Sequence, residues 1–252
     1  MVKRNIPPTR YPYAVERAYE QGMKRMIKEM VRFTLQEYDR AIKMNIKSYQ
    51  ADADELTFAQ RVLKLVRALT LNIFTDSQIT NLANTFVSGL NLFNMKNMND
   101  QARVAAVNPI QHEGWLNDFV KSSVTQNVGY IKSIHSQYHD KIEAIVYEGM
   151  KNGTSTKEIR NQIMKAGKVS ESRAEFIAVD QSGSIHGQLT KKRHEEMGVS
   201  KFTWLTAGDE RVRKEHRSYS GKVYDYKNGA NGKFPGMSDY RCRCVGTPIF
   251  ND

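Results

Sequence analysis

From Tyr13 to Tyr49, apolar side chains recur at three- and four-residue steps: Tyr19, Met23, Met26, Ile27, Met30, Val31, Leu35, Tyr38, Ile42 and Ile46. With 3.6 residues to a turn, that spacing draws one stripe down a helix. Lys24, Lys28, Arg32, Arg40, Lys43 and Lys47 decorate the remaining surface. "ADADEL" (51–56) reads as a break, with Asp54 a cap for a second stripe through Phe58, Val62, Leu65, Val66, Leu69 and Ile73. Thr75 or Asp76 can cap a third helix through Ile79, Leu82, Ala83, Phe86, Val87 and Leu90. Residues 94–111 are polar and contain Asn108-Pro109, so they read as a loop around at most one short helix. A long helix should follow from His112 to Met150. It turns Trp115, Phe119, Ile131, Ile134, Tyr138, Ile142, Ile145 and Val146 inward, with Gly129 as a soft point.

Gly153 ends that helix, and Ser155 with Glu158 forms a capping box for the next. Ser170 reads as a further start, leading to Gly198 as the glycine after the last turn. Only then does the period change. Phe202 and Trp204 alternate inward in "SKFTWLT" (200–206), a strand; 209–216 suggest a helical turn or two; "GKVYDY" is a second strand. A glycine-rich loop (228–236) leads to a final strand, "RCRCVGTPIF". The expected fold is mainly α with a small C-terminal α+β module, the long helices in the N-terminal half and a short antiparallel sheet near the C-terminus. Two domains are expected, 1–153 and 154–252.

Composition adds limits. The 252 residues are 40% hydrophobic and 26% charged, proportions of a folded chain. No apolar run is long enough for a membrane span, and the first residues lack the apolar centre of a secretory signal, so a cytoplasmic setting is expected. The net charge of +11 is uneven: residues 1–50 carry +6, 51–150 carry −2 and 151–252 carry +7. Basic ends of this kind contact polyanions, nucleic acid first, or simply form a solvated surface.

The chemistry concentrates near the end. Cys242 and Cys244, the only cysteines, stand one residue apart. Neighbours on one face of a strand are roughly 6.5–7 Å apart in Cα, which makes a poor disulfide. A metal pair, a reactive pair and two buried small residues remain open. Zinc favours thiolate and imidazole; His216 could be a third ligand, and Asp209 or a water the fourth. On an unbroken helix Asp209 and His216 would be roughly 10.5 Å apart, so Asp209 must precede the helix or serve elsewhere, for instance as its cap. Arg211, Arg213, Arg241 and Arg243 alternate with other residues and could present guanidinium groups to phosphate, or pair internally with Asp209, Glu210 or Glu215. Asp180, Ser184 and His186 lie mid-helix, without the strained turn a serine nucleophile needs. His112, His135, His139 and His194 read as exposed. Met23, Met26, Met30 and Met44 read as adaptable helix packing, or else as a surface that moulds to a partner.

Taken in order, Asp180 and Gln181, Trp204, Asp209, Arg211, Val212, Arg213, His216, Gly221, Pro235, Gly236, Cys242, Arg243, Cys244 and Pro248 make residues 155–250 resemble the phage Mu F-like minor head proteins, also called phage head morphogenesis proteins. Val179 stands where that family usually has arginine. The resemblance implies a non-enzymatic, low-copy virion component. It would act in procapsid assembly near the portal, with portal, coat and scaffold proteins as partners of the helical half and double-stranded DNA as a possible contact of the basic ends. It implies location in the phage head, and in the host cytoplasm during assembly, with no membrane. Some relatives carry a toxin or enzyme domain after this module; a chain stopping at Asp252 is expected to have none. The rival readings are a zinc- or thiol-dependent hydrolase or nuclease built on Asp209, His216, Cys242 and Cys244, and a nucleic-acid-binding module with no virion role.

Overall fold

The computed structural model describes residues 5–48, 60, 63, 64, 66–68, 70, 72–108 and 112–250, without the side chains of 43–48. The proposed cap at Asp54, the positions Phe58, Val62, Leu65 and Leu69, the side chains of Lys43, Met44, Ile46 and Lys47, and Pro109 lie outside the described residues. Among the described residues, four long helices carry most of the structure: α1 (Tyr13–Ser48), α2 (Asp76–Ala105), α3 (Leu116–Lys151) and α4 (Thr156–Glu196). After them come β1 (Lys201–Leu205), α5 (Lys214–Tyr219), β2 (Val223–Asp225) and β3 (Val245–Ile249). The fold is mainly α with one small antiparallel sheet near the C-terminus, as the apolar periods predict.

The stripes bury as expected. In α1, Tyr19, Met23, Ile27, Met30 and Tyr38 are buried, while Met26 is half-buried. Thr75 caps α2: its hydroxyl accepts from the Gln78 amide at 3.2 Å, and Gln78 Oε1 reaches back to the Thr75 amide at 3.4 Å. In the Ser155 box only the Ser155 hydroxyl contact to the Glu158 amide is made, at 3.3 Å.

Two helix boundaries differ from the sequence reading. Residues 94–105, expected as loop, continue α2. Their inward face is polar yet buried, with Asn94, Asn97 and Gln101 beside Met98 and Ala102. Those amides find partners across the core, so the helix persists where an apolar stripe fades. Likewise no break occurs at Ser170. It lies within α4, its hydroxyl bonded to the Ala166 carbonyl at 3.2 Å. A Cβ on neighbouring Gly167 would meet Val31, so "AGKVS" permits a close approach rather than ending a helix.

The contacts gather into two compact units, each drawn from segments on both sides of residue 153. One comprises Glu20–Leu82 and Gln126–Glu175, with Ile27, Met30, Ile131, Ile134, Ile142 and Ile163 in its core. The other comprises Met1–Tyr19, Ala83–Thr125 and Phe176–Asp252 and holds the sheet. Its strands run in the order β2-β1-β3, with Phe202 opposite Tyr224 and Pro248, and Trp204 opposite Gly246. Pro248 lies in an edge strand, where a missing amide proton is tolerated. Phe202 and Trp204 anchor a cluster with Val199, Tyr219, Tyr226, Ala230, Cys242 and Cys244. Gly198, at φ +76°, closes α4 as expected, and the Val199 amide bonds back to the His194 carbonyl at 2.9 Å.

Candidate functional site

The site is assembled on α4. Gly183 and Gly187, four residues apart, share one helix face, and the 235–244 loop lies directly against it. A Cβ at Gly183 would collide with the Cys242 carbonyl oxygen. One at Gly187 would come within 2.5 Å of the Pro235 carbonyl oxygen. Gly236, at φ +77°, makes the turn, and Ser238 fixes it by accepting the Phe234 amide at 2.8 Å. Asp180, one turn earlier on α4, accepts the Arg241 amide at 2.9 Å, where the chain takes φ +57°. Thus "DQSGSIHG" forms a bed for the cysteine loop, and Asp180, Ser184 and His186 do not make a triad.

Cys242 and Cys244 themselves precede β3 instead of lying on it, which corrects the expectation of one strand through "RCRC". Both thiols are free and buried. α5 carries His216 to them. Its Nδ1 is 3.6 Å from Cys242 Sγ and 3.5 Å from Cys244 Sγ, and its Nε2 is 2.9 Å from Asp239 Oδ2. The three donor atoms lie within 4.8 Å of one another. Trp204 packs edge-on to the imidazole at 5.2 Å between ring centroids. Lys233 sits 3.3 Å from Asp239 Oδ2 and 2.7 Å from Glu215 Oε2. Glu215 also accepts from the Tyr219 hydroxyl at 2.6 Å.

The electrostatics follow from this packing. The two thiols act as a pair that gives up one proton readily and the second with difficulty. The anionic form of Cys242 is favoured first by the Cys244 thiol, then by His216 and the amides of Cys244 and Gly236. Cys244 is pushed up by its bond to Cys242 and by burial. His216 is raised chiefly by Cys242, against its own burial, with help from Asp239.

Asp209 is not among the gathered donors. It pairs with Arg211 at 2.7 Å, accepts the Arg211 amide, and is lowered by that arginine. The carboxylate that reaches His216 is Asp239, which sequence reasoning passed over although it stands three residues before Cys242. The four arginines divide. Arg243 makes a two-pronged bond to Glu16 at 2.7 and 3.0 Å, with both side chains largely buried and the Tyr11 hydroxyl on the same carboxylate. Arg211, Arg213 and Arg241 are exposed; Arg213 donates to the Tyr240 carbonyl at 2.7 Å. All four line a small cleft with Asp209, His216 and both cysteines.

Two histidines expected at the surface are buried. His194 Nε2 lies 3.1 Å from Gln101 Oε1, and Nδ1 lies 2.5 Å from the Tyr226 hydroxyl. Gln101 spends its NH2 on the Pro7 carbonyl and Thr9, so its oxygen accepts from Nε2–H, while burial lowers His194 and favours its neutral form. His139 is buried against the Thr70 hydroxyl at 2.6 Å. His135 is half-buried and His112 is exposed. A fully buried Arg193 clasps Glu113 at 2.6 and 2.9 Å and bonds Asn91 and Asn94, a network that no apolar period announces.

Residues 140–247 match the family described as Phage Mu protein F like protein. Residues 140–247 are thus similar to that family. That match spans every residue of the cysteine–histidine cluster. An uncharacterized protein of Haemophilus influenzae (strain ATCC 51907 / DSM 11121 / KW20 / Rd) is 32% identical over 256 residues, covering 99% of this chain and 56% of its own length. The chain thus spans about half the length of the curated relative it matches. No solved structure matches the chain. Among the described residues, no helix is long and apolar enough to cross a membrane.

Proposed function

We propose that this is a phage head morphogenesis protein, a minor capsid component that works with other head proteins in procapsid assembly near the portal. The supporting observation is that the Mu F-like segment gathers its distinctive residues into a buried fastener: His216, Cys242 and Cys244 are all covered, and Arg243 is tied to Glu16. Chemistry enclosed in this way serves a fold better than it serves turnover on a large substrate, so the protein acts by binding and not by catalysis. The partners in this reading are portal, coat and scaffold proteins. The outward-facing Arg211, Arg213 and Arg241 and the basic N-terminal segment offer salt-sensitive contacts to duplex DNA. The virion head is the location the reading assigns.

The test is co-expression with the portal, coat and scaffold proteins of the same phage, followed by gradient sedimentation. The protein should travel with procapsids at high salt, in few copies per particle. Sedimentation only as free protein, with binding to DNA alone, would favour the nucleic-acid module. Cutting of DNA that disappears in His216→Ala would favour the nuclease.

A further inference from the structure

We propose that His216, Cys242 and Cys244 hold a zinc ion, with one water completing a tetrahedron; this stands apart from the head-assembly reading and does not rest on it. The distances carry the argument. With Zn–S near 2.3 Å and Zn–N near 2.05 Å, a tetrahedral site separates sulfur from nitrogen by about 3.6 Å. His216 Nδ1 lies 3.6 and 3.5 Å from the two sulfurs, the nitrogen–sulfur spacing of a shared tetrahedral ion, and all three donor atoms lie within 4.8 Å of one another. The imidazole is already aimed. Its Nε2 faces Asp239, and a proton there leaves the Nδ1 lone pair directed at the sulfurs, the carboxylate–histidine arrangement that orients metal ligands. Two thiolates and one imidazole select a borderline-soft cation over calcium or magnesium.

Charge supports the same assignment. With a divalent ion bound, two thiolates and a neutral imidazole make a neutral group, so the loaded site buries no uncompensated charge. The remaining coordination position falls to solvent. Asp209 is engaged by Arg211, and Asp239 is spent on Nε2. The adjoining cleft, of about 20 Å³, is lined by the three ligands together with Asp209 and four arginines, and accommodates one water. In this reading the ion ties α5 to the segment that enters β3, elements that share no backbone ladder.

The full-length chain, purified under reducing conditions without chelator, should hold one zinc per molecule after dialysis. Cobalt(II) added to stripped protein should give a thiolate-to-metal absorption band with the intense visible transitions of a tetrahedral ion. Both thiols should resist a disulfide reagent in the loaded protein and react after chelation, and stripping should lower the melting temperature reversibly. Cys242→Ser and His216→Gln should lose the band. Asp239→Asn, which keeps all three ligands, should fold and bind cobalt 10- to 100-fold more weakly. Wild-type protein with both thiols reduced that takes up neither zinc nor cobalt would overturn the proposal. So would metal uptake that Asp239→Asn, Cys242→Ser and His216→Gln leave unchanged.

Discussion

Replacing Gly187 by alanine isolates the contact on which the cysteine loop rests. In a helix interior the exchange should gain about 1 kcal/mol, because alanine has less backbone freedom to lose. Here the new methyl would stand 2.5 Å from the Pro235 carbonyl oxygen and 2.8 Å from Met237 Cγ. The first is about 1 Å short of an ordinary contact, and a backbone carbonyl cannot swing aside as a side chain can. The loop must therefore retreat from α4, and overpacking of this kind costs about 1–3 kcal/mol. Gly129, at an exposed position of α3, meets nothing within 4 Å and serves as the control. Urea unfolding followed by circular dichroism should show Gly129→Ala stabilised by up to about 1 kcal/mol and Gly187→Ala destabilised by up to about 2 kcal/mol. Thiol accessibility should rise in the second variant alone, because the displaced loop carries Cys242 and Cys244. Equal gains in both variants, with thiols still protected, would show that the loop does not depend on that bare helix face.

Two further outcomes test the electrostatics. Arg243→Ala should destabilise by about 3–5 kcal/mol, because it leaves Glu16 buried without its counter-charge. Arg211→Ala, at an exposed pair, should change stability by less than about 1 kcal/mol; similar effects in thermal melts would contradict the buried pairing. The buried histidines set the acid response: burial pushes His194 down to about 3, and His186 and His139 each to about 4. Their folded-state values lie below 6.5, so protonation favours the unfolded chain. Their contribution is complete above pH 6.5 and is lost as pH falls from there towards about 3, at up to about 1.4 kcal/mol per pH unit for each histidine. His216, being raised, acts in the opposite sense. In His194→Gln the decline of stability between pH 6.5 and 4 should flatten, and a slope identical to wild type would refute the assignment.

Apolar spacing made the helices of the first half, the alternation of Phe202 with Trp204 and the Gly198 stop legible before any coordinates. It was silent where the core is polar. Asn94, Asn97 and Gln101 look like loop residues until their amides are seen bonded inside, and nothing in the apolar period marks Arg193 as buried. The same blindness placed His194 and His139 outside. At the site, the nearness of His216 to the cysteines was readable because few residue types could share a purpose with two thiols. The part of Asp239 was not, since it depends on how the loop brings that carboxylate to His216. The roles of Gly183 and Gly187 were hidden too, because a glycine in a helical pattern reports nothing about which backbone will lie against it.

The grip of Glu16 on Arg243, 227 positions later, has a consequence for handling and for biosynthesis. Thr9 also clasps the last strand, donating its hydroxyl to the Gly246 carbonyl at 2.8 Å and its amide to Thr247 Oγ1 at 3.1 Å. A fragment excised to the matched boundaries would leave an orphaned guanidinium and a bare sheet margin, so recombinant pieces should retain the leading arm. On the ribosome, that arm has to wait for 227 further residues before its counterpart emerges.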